Sequence, residues 1–402
     1  MTADPAVAAA IEAERRRIQG WTELAASENY VSDAVMAAQG SILTNLTIEG
    51  YPGRRFLGRD GVADTIETLA ISRACALFGA AHANVQPHAG TQANQAAFLA
   101  LLKPGDRVLS MRLADGGHFS HGHASTLSGR WYESHHYGVR PDDGLIDIDD
   151  VAEKAERLRP RLIIAGGSTY PRTIDFAGLR RIADDVGAAL LVDIAHMAGL
   201  VATGLFPDPV PHADLVTTTT YKNLRGPRGG LILTRDIELG RRCEDALSPL
   251  LQGTPLLHVM AAKAVVFAEA AMPDYAEYQR RVLATARHLA IRLQDAGCHV
   301  VTGGTDTPLV LVDLRGTAVD AATAVARLAA IGIGANRVPL PGDPDDLSHL
   351  SGLRFGTSAA CARGFGITEF DVIAEAISAQ LGATAAPDFA DRLRLQAERF
   401  RV

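Results

Sequence analysis

From about residue 60 to residue 235 short apolar runs alternate with stretches of helical period. The runs "LIIAGGS" (162–168), "ALLVDIAH" (189–196), "ADLVTTTT" (213–220) and "GGLILT" (229–234) predict buried strands, and "AGLRRIADDVGA" between the first two predicts an amphipathic crossover helix. Such alternation specifies an α/β fold, a mostly parallel sheet with helices on both faces. A long helix follows in "LLHVMAAKAVVFAEAAM", with "PDY" at 273–275 expected to break it. Beyond it come a helix near 276–296, strands in "HVVTGG" and "LVLVDL", a helix near 318–331 and a last one after Gly366. The pattern divides the chain into an N-terminal helix and arm (1–50), a large domain (51–275) and a smaller α+β domain (276–402). Ligands of open α/β sheets bind beyond the carboxyl ends of the strands, so the chemistry is to be sought where the apolar runs stop.

Lys222 ends one such run. Of 39 basic residues in the chain only Lys103, Lys154, Lys222 and Lys263 are lysines. Arginine keeps its proton, whereas a partly desolvated lysine can lose one and attack a carbonyl to form a Schiff base. A solvated loop lysine is the plainer reading. Asp193 ends another run, where a carboxylate can keep a pyridinium nitrogen protonated, as pyridoxal phosphate requires, or can simply cap a turn. His196, three residues on, fits beside the same ring or in ordinary packing. In "QPHAGTQANQAAFLALL" (86–102), Gly90 and Thr91 open an apolar helix whose first N–H groups suit a phosphate.

"ADGGHFSHGHAS" (114–125) carries His118, His121 and His123. A structural zinc site draws on four ligands, and no cysteine or second cluster completes this one, so a histidine lying flat on a cofactor ring is the better functional reading. Glu49, in the turn of "IEGYPGRRFLG", is placed to shuttle protons. Arg354, in "SGLRFGTSAACARGFG", offers a planar fork for a substrate carboxylate.

Composition narrows the classes. A net charge of −7 gives no reason to expect nucleic acid, and no apolar run reaches the ~18 residues that span a bilayer. The start, "MTADPAVAAAIEAERRRIQ", has the charge order of a capped helix and not of a signal peptide. Cys75, Cys243, Cys298 and Cys361 form no CxxC pair, and a reducing cytoplasm is the expected compartment.

Taken together, the stretches "ELAASENYVSDAVMAAQGSILTN", "EGYPGRRFLG", "ANVQPHAGTQAN", "GGHFSHG", "LLVDIAHMAGLVATG", "HADLVTTTTYKNLRGPRGGLIL" and "SGLRFGT" resemble the serine hydroxymethyltransferase family, in its order, over about residues 20–365. The resemblance implies pyridoxal-phosphate fold type I with a seven-stranded sheet. It implies that Lys222 holds the cofactor as a Schiff base, Asp193 pairs with the pyridine nitrogen and His118 stacks on the ring. His196 and Ser168 would bond the phenolic oxygen region, and Ala89, Gly90 and Thr91 would hold the phosphate. Gly253 and Thr254 would reach that phosphate across a homodimer interface, and a tetramer is equally compatible. Ser27 and Arg354 would bind the amino acid carboxylate, and Glu49 would serve the β-hydroxyl from the neighbouring subunit.

Several family positions are changed. Tyr221 replaces the histidine before the lysine, at a position tied to specificity and hence to catalysis. Phe56 and Leu57 replace a tyrosine pair, Thr47 another tyrosine, Phe119 a leucine and Val338 an asparagine. The segments "DDLSHL" (345–350) and "SPLLQGTP" (248–255) also depart from the pattern. The cofactor residues are kept while the folate and substrate positions are not, which argues against tetrahydrofolate. The expectation is a folate-independent aldolase or transaldolase acting on β-hydroxy-α-amino acids, for example with threonine as donor and another aldehyde as acceptor. The alternatives are a tetrahydrofolate-dependent hydroxymethyltransferase acting on serine/glycine or α-methylserine/alanine and, as a minor reading, a non-catalytic binding protein.

Overall fold

The computed structural model describes residues 4–58, 60–345, 347–382 and 389–400. Asp346, within the changed "DDLSHL" segment, and the first three residues of the expected N-terminal helix lie outside them. The chain divides into two compact units, Val31–Gln279 and a second made of Met1–Tyr30 with Arg280–Val402. The breaks expected at 50 and 275 thus stand beside observed ones at 30 and 279.

The larger unit is built on a seven-stranded sheet: β1 (His82–Asn84), β2 (Arg107–Met111), β3 (Glu133–Tyr137), β4 (Leu162–Ala165), β5 (Ala189–Asp193), β6 (Leu215–Thr219) and β7 (Gly230–Thr234), in the spatial order β1-β7-β6-β5-β4-β2-β3. Strands β3, β2, β4, β5 and β6 pair in parallel, and β7 runs against both β6 and β1. Strands β4, β6 and β7 are buried along their whole length, which is why they show no polar alternation. Strand β3 escapes that signature: "ESHHY" lies at the sheet edge with only Tyr137 fully buried. A core of Phe98, Leu162, Ile164, Leu191, Leu215 and Ile232 joins the sheet to the helices Gly90–Leu101 and Ile237–Leu247. The crossover helix Phe176–Val186 starts where Asp175 accepts the Gly178 N–H and stops at left-handed Gly187.

The second unit holds a four-stranded antiparallel sheet, in the order His299–Val300, Leu309–Asp313, Gly352–Gly356, Asn336–Val338. Its first helix, Pro5–Gln19, is capped by the Asp4 carboxylate. The long helix stops as expected before Pro273, at Ala270, and Pro273 itself opens the next helix, Pro273–Asp295, at a position where its missing N–H costs nothing. A further helix, Phe389–Glu398, was not anticipated.

One element of the large unit is held by charge. The Gly50–Tyr51 and Arg54–Arg55 strands form a hairpin just after Glu49. Arg55 and Glu67, 2% and 1% exposed, pair at 2.5 Å, and Arg55 also donates to the Gly50 carbonyl at 2.7 Å. Gln86 donates to the same carbonyl and to Glu67 at 3.0 and 2.7 Å. Removing one partner of a buried pair strands the other. Arg55→Met is expected to lower the unfolding free energy in urea by about 3–5 kcal/mol, and Arg55→Met with Glu67→Leu to recover most of that loss.

Candidate active site

The ends of β5 and β6 and the start of the Gly90–Leu101 helix meet at a cleft of about 430 Å³. Ala89, Gly90, Thr91, His118, Asp193, His196, Tyr221 and Lys222, all singled out in the sequence, line it. Two of the threonines before Tyr221 fix this corner through their hydroxyls: Thr217 donates to Asn94 Oδ1 at 2.6 Å and Thr220 to the Pro227 carbonyl at 2.5 Å. The turn that follows is tied back by the Gly226 N–H on the Thr220 carbonyl and the Thr220 N–H on that of Gly229. Lys222, 8% exposed, is thereby held with its Nζ 3.1 Å from His196 Nε2.

Asp193 is the charged centre of the cleft. Its Oδ2 accepts from Asn94 Nδ2 at 2.9 Å and His121 Nε2 at 3.0 Å, and its Oδ1 from the Ala195 N–H at 3.0 Å. Burial by itself pushes the carboxyl up. The His121 hydrogen bond and charge, the His118 charge and the Asn94 bond outweigh it and hold Asp193 well below the usual carboxylate range. A carboxylate only accepts, so His121 presents Nε2–H to it, while Nδ1 has no hydrogen-bond partner among the described residues. His118 Nδ1 sits 2.7 Å from Ser120 Oγ, which itself accepts from Asn94. His123 pairs with Ser125 at 2.8 Å. The three histidines of the H-x-x-H-x-H run therefore have three different partners.

At the helix start, N-cap Ala89 has no side-chain acceptor to offer the first-turn N–H groups. A Cβ on Gly90 would lie 2.6 Å from Thr219 Cγ2, so only glycine lets the helix start this close to β6. The cleft thus offers a buried ionised carboxylate, a primary amine and an uncapped helix start. These are the groups that a pyridinium nitrogen, an aldehyde and a phosphate require, and the residues fit pyridoxal phosphate.

Other expected residues lie elsewhere. Ser168 does not line the cleft, and its Oγ donates to the Gly117 carbonyl at 2.7 Å. Glu49 and Thr254 lie side by side at 3.4 Å, with Gly253 next to them in sequence, and none of the three lines the cleft. Arg354, 8% exposed, belongs to the other unit, where it donates to Asn336 Oδ1 at 3.0 Å. The same oxygen accepts the Ala26 N–H at 3.1 Å and so links Arg354 to the turn bearing Ser27. Burial pushes the Arg354 guanidinium down to about 10. Asn94 and the individual role of His121 were missed from sequence. The one available signal was helical spacing, which sets Asn94 four residues after Gly90 on the same face. Among the described residues no helix is long and apolar enough to cross a membrane.

The serine hydroxymethyltransferase family profile matches residues 1–377. The chain is 52% identical over 394 residues to a serine hydroxymethyltransferase of Acidiphilium cryptum (strain JF-5), covering 98% of this chain and 91% of the relative. It is 52% identical over 383 residues to that of Paramagnetospirillum magneticum (strain ATCC 700264 / AMB-1), covering 95% and 90%. It is 54% identical over 374 residues to that of Rhodospirillum centenum (strain ATCC 51521 / SW), covering 93% and 87%.

Because Asp193 is shifted down on folding, it adds stability that is present above the usual carboxylate range and lost as pH falls through its lowered value. His121→Leu removes the largest lowering cause. The variant is expected to be less stable than the parent above about pH 6, with the gap closing on acidification, seen as melting temperatures that converge as pH falls from about 6 to 3.

Proposed function

Because the chain belongs to the serine hydroxymethyltransferase family, with pyridoxal phosphate as its cofactor, we propose that it carries the hydroxymethyl carbon of serine to tetrahydrofolate. The observation that carries this reading is the convergence of Lys222, Asp193 and the Gly90–Thr91 helix start on one cleft. The hydroxymethyltransferase names of relatives above 50% identity favour it over the folate-independent aldolase expected from the changed positions. Tetrahydrofolate accordingly stands as a substrate, against the doubt that the changed positions raise.

When bound, pyridoxal phosphate supplies an electron sink for bonds broken at the α-carbon of an amino acid. Lys222 holds it through the amine nitrogen, and His196, 3.1 Å away, orients that amine. Asp193, kept ionised by His121 and Asn94, holds a proton on the ring nitrogen. The uncapped helix start at Gly90 and Thr91, with Ala89, receives the phosphate. His118, in the cleft lining, would lie against the ring, and Ser168, whose hydroxyl now donates to the Gly117 carbonyl, would have to turn from it to bond near the phenolic oxygen. Arg354 and Ser27 take the substrate carboxylate, the guanidinium through its bidentate fork. Glu49 moves the proton at the β-hydroxyl, and Gly253 and Thr254 add to the phosphate site, each serving the partner subunit of a homodimer. Such an enzyme works in the cytoplasm.

One observation favours a second reading. Tyr221 lines the cleft with the Arg228 guanidinium 4.6 Å from its ring centroid, where the family has histidine, and this pairing is compatible with a different amino acid or aldehyde. The holoenzyme is to be incubated with serine, α-methylserine or threonine, each with and without tetrahydrofolate. Serine cleavage that depends on tetrahydrofolate is expected. Folate-independent threonine cleavage that exceeds it would instead establish the aldolase. Lys222→Arg is expected to abolish turnover with the far-ultraviolet circular dichroism unchanged, and Glu49→Gln to slow serine cleavage by about 10²–10⁴-fold.

A further inference from the structure

Lys263 is a lysine that the proposed chemistry leaves unused. It sits on the helix Leu257–Ala270, is 1% exposed, and donates to three carbonyls: Val85 at 2.6 Å, Gly230 at 2.8 Å and Pro87 at 3.0 Å. Three acceptors match the three N–H donors of an ammonium, a count that a neutral amine cannot supply. Burial pushes the Lys263 ammonium down to about 7, and the three carbonyls, each able only to accept, work against that loss by holding its protons, so the residue needs a structural purpose.

The three carbonyls identify that purpose. Val85 and Pro87 belong to the segment that runs from β1 into Ala89, Gly90 and Thr91, and Gly230 opens the strand that returns from the Lys222 turn. The glycines of "PRGG" leave room for this junction. A Cβ on Gly229 would lie 2.5 Å from Lys263 Cε and 2.8 Å from Nζ, and one on Gly230 would lie 2.4 Å from the Ala89 carbonyl oxygen. The Gly230 N–H also donates to the Pro87 carbonyl at 2.9 Å. Gln252 holds the other edge of the segment, accepting the His88 N–H at 3.2 Å and donating to the Gln86 carbonyl at 2.9 Å.

We propose that Lys263 is the positioning residue of the cofactor's phosphate site, its three carbonyl bonds fixing the loop that aims the N–H groups of Gly90 and Thr91. It acts through the loop and touches neither cofactor nor substrate. Its buried charge also reaches that loop. Burial and the Lys263 charge together lower His88, opposed by a backbone hydrogen bond with Thr254. The inference rests on the pyridoxal-phosphate reading.

The test compares two ligands that differ only in the phosphate. Full-length protein freed of cofactor is titrated by equilibrium dialysis with pyridoxal 5′-phosphate and, separately, with pyridoxal. Lys263→Met keeps the side chain's bulk without donors. Gly229→Ala displaces the ammonium without removing it and carries the same comparison if the first variant does not fold. In each, the phosphate ester is expected to bind about tenfold or more weakly than in the parent, and pyridoxal within about twofold of it. Equal weakening of both ligands would mark Lys263 as a general stabiliser and overturn the proposal, as would unchanged binding of both. A parent protein that does not prefer the phosphate ester would refute the cofactor reading itself, and this inference with it.

Discussion

A carboxylate buried at the end of a central strand is the constraint on which the site depends. Removed from water, Asp193 is tolerable as an anion only while its oxygens are satisfied, and the fold does this from three directions. Asn94 comes from the helix after β1, His121 from the turn after β2 and the Ala195 N–H from the chain just beyond Asp193 itself. Asn94 is in turn fixed by Thr217 on β6, so the neighbouring strand is drawn into the same arrangement. Each partner belongs to a different connection at the carboxyl edge of the sheet. The charge therefore selects one mutual arrangement of those loops, the arrangement that also places Lys222 and the helix start on a common cleft.

The chain's use of lysine follows the same logic in the opposite sign. Of its four lysines, Lys103 is exposed and Lys154 pairs with Asp150 on a helix surface, whereas Lys222 and Lys263 are buried. Positive charge elsewhere is left to arginine, which keeps its proton and spreads its donors over a wide fork. Both interior lysines sit where a compact amine is required. Lys222 faces one histidine nitrogen, and Lys263 fits a pocket framed by three carbonyls and the bare Cα of Gly229.

Much of the fold was legible because burial is periodic. The strands Leu162–Ala165, Ala189–Asp193, Leu215–Thr219 and Gly230–Thr234 read correctly because both of their faces are covered, which leaves no polar alternation to mislead. Strand Glu133–Tyr137 did not, since an edge strand meets water and its sequence looks like a loop. Lys222, Asp193 and Gly90 could be singled out because each stands where an apolar run stops or an apolar helix begins. The roles of Asn94, His121 and Lys263 were illegible for a shared reason. Each is defined by partners far away in sequence: Asn94 by Asp193 and Thr217, and Lys263 by carbonyls at 85, 87 and 230. A lysine in "HVMAAKAVVF" reads as one polar position on an apolar helix, and only the fold makes it an anchor.

The changed positions take on a different character once their exposure is known. Val338 is buried, so a residue read as a lost folate contact also packs within its own unit. Phe56 and Leu57 are 73% and 49% exposed, immediately after the hairpin that follows Glu49, and Leu250 is 70% exposed just before Gly253 and Thr254. Large apolar side chains in water favour a cover. In the proposed homodimer the segments that carry them are the ones that reach the partner's site. Replacing two tyrosines by Phe56 and Leu57 then removes two hydroxyls from that boundary and adds apolar surface to it. The same substitutions that suggest an altered substrate would strengthen subunit association, because burying apolar area needs no polar partner whereas a phenol does. In such a homodimer association and completion of the active site would be a single event, and the departures from the family pattern would act on both.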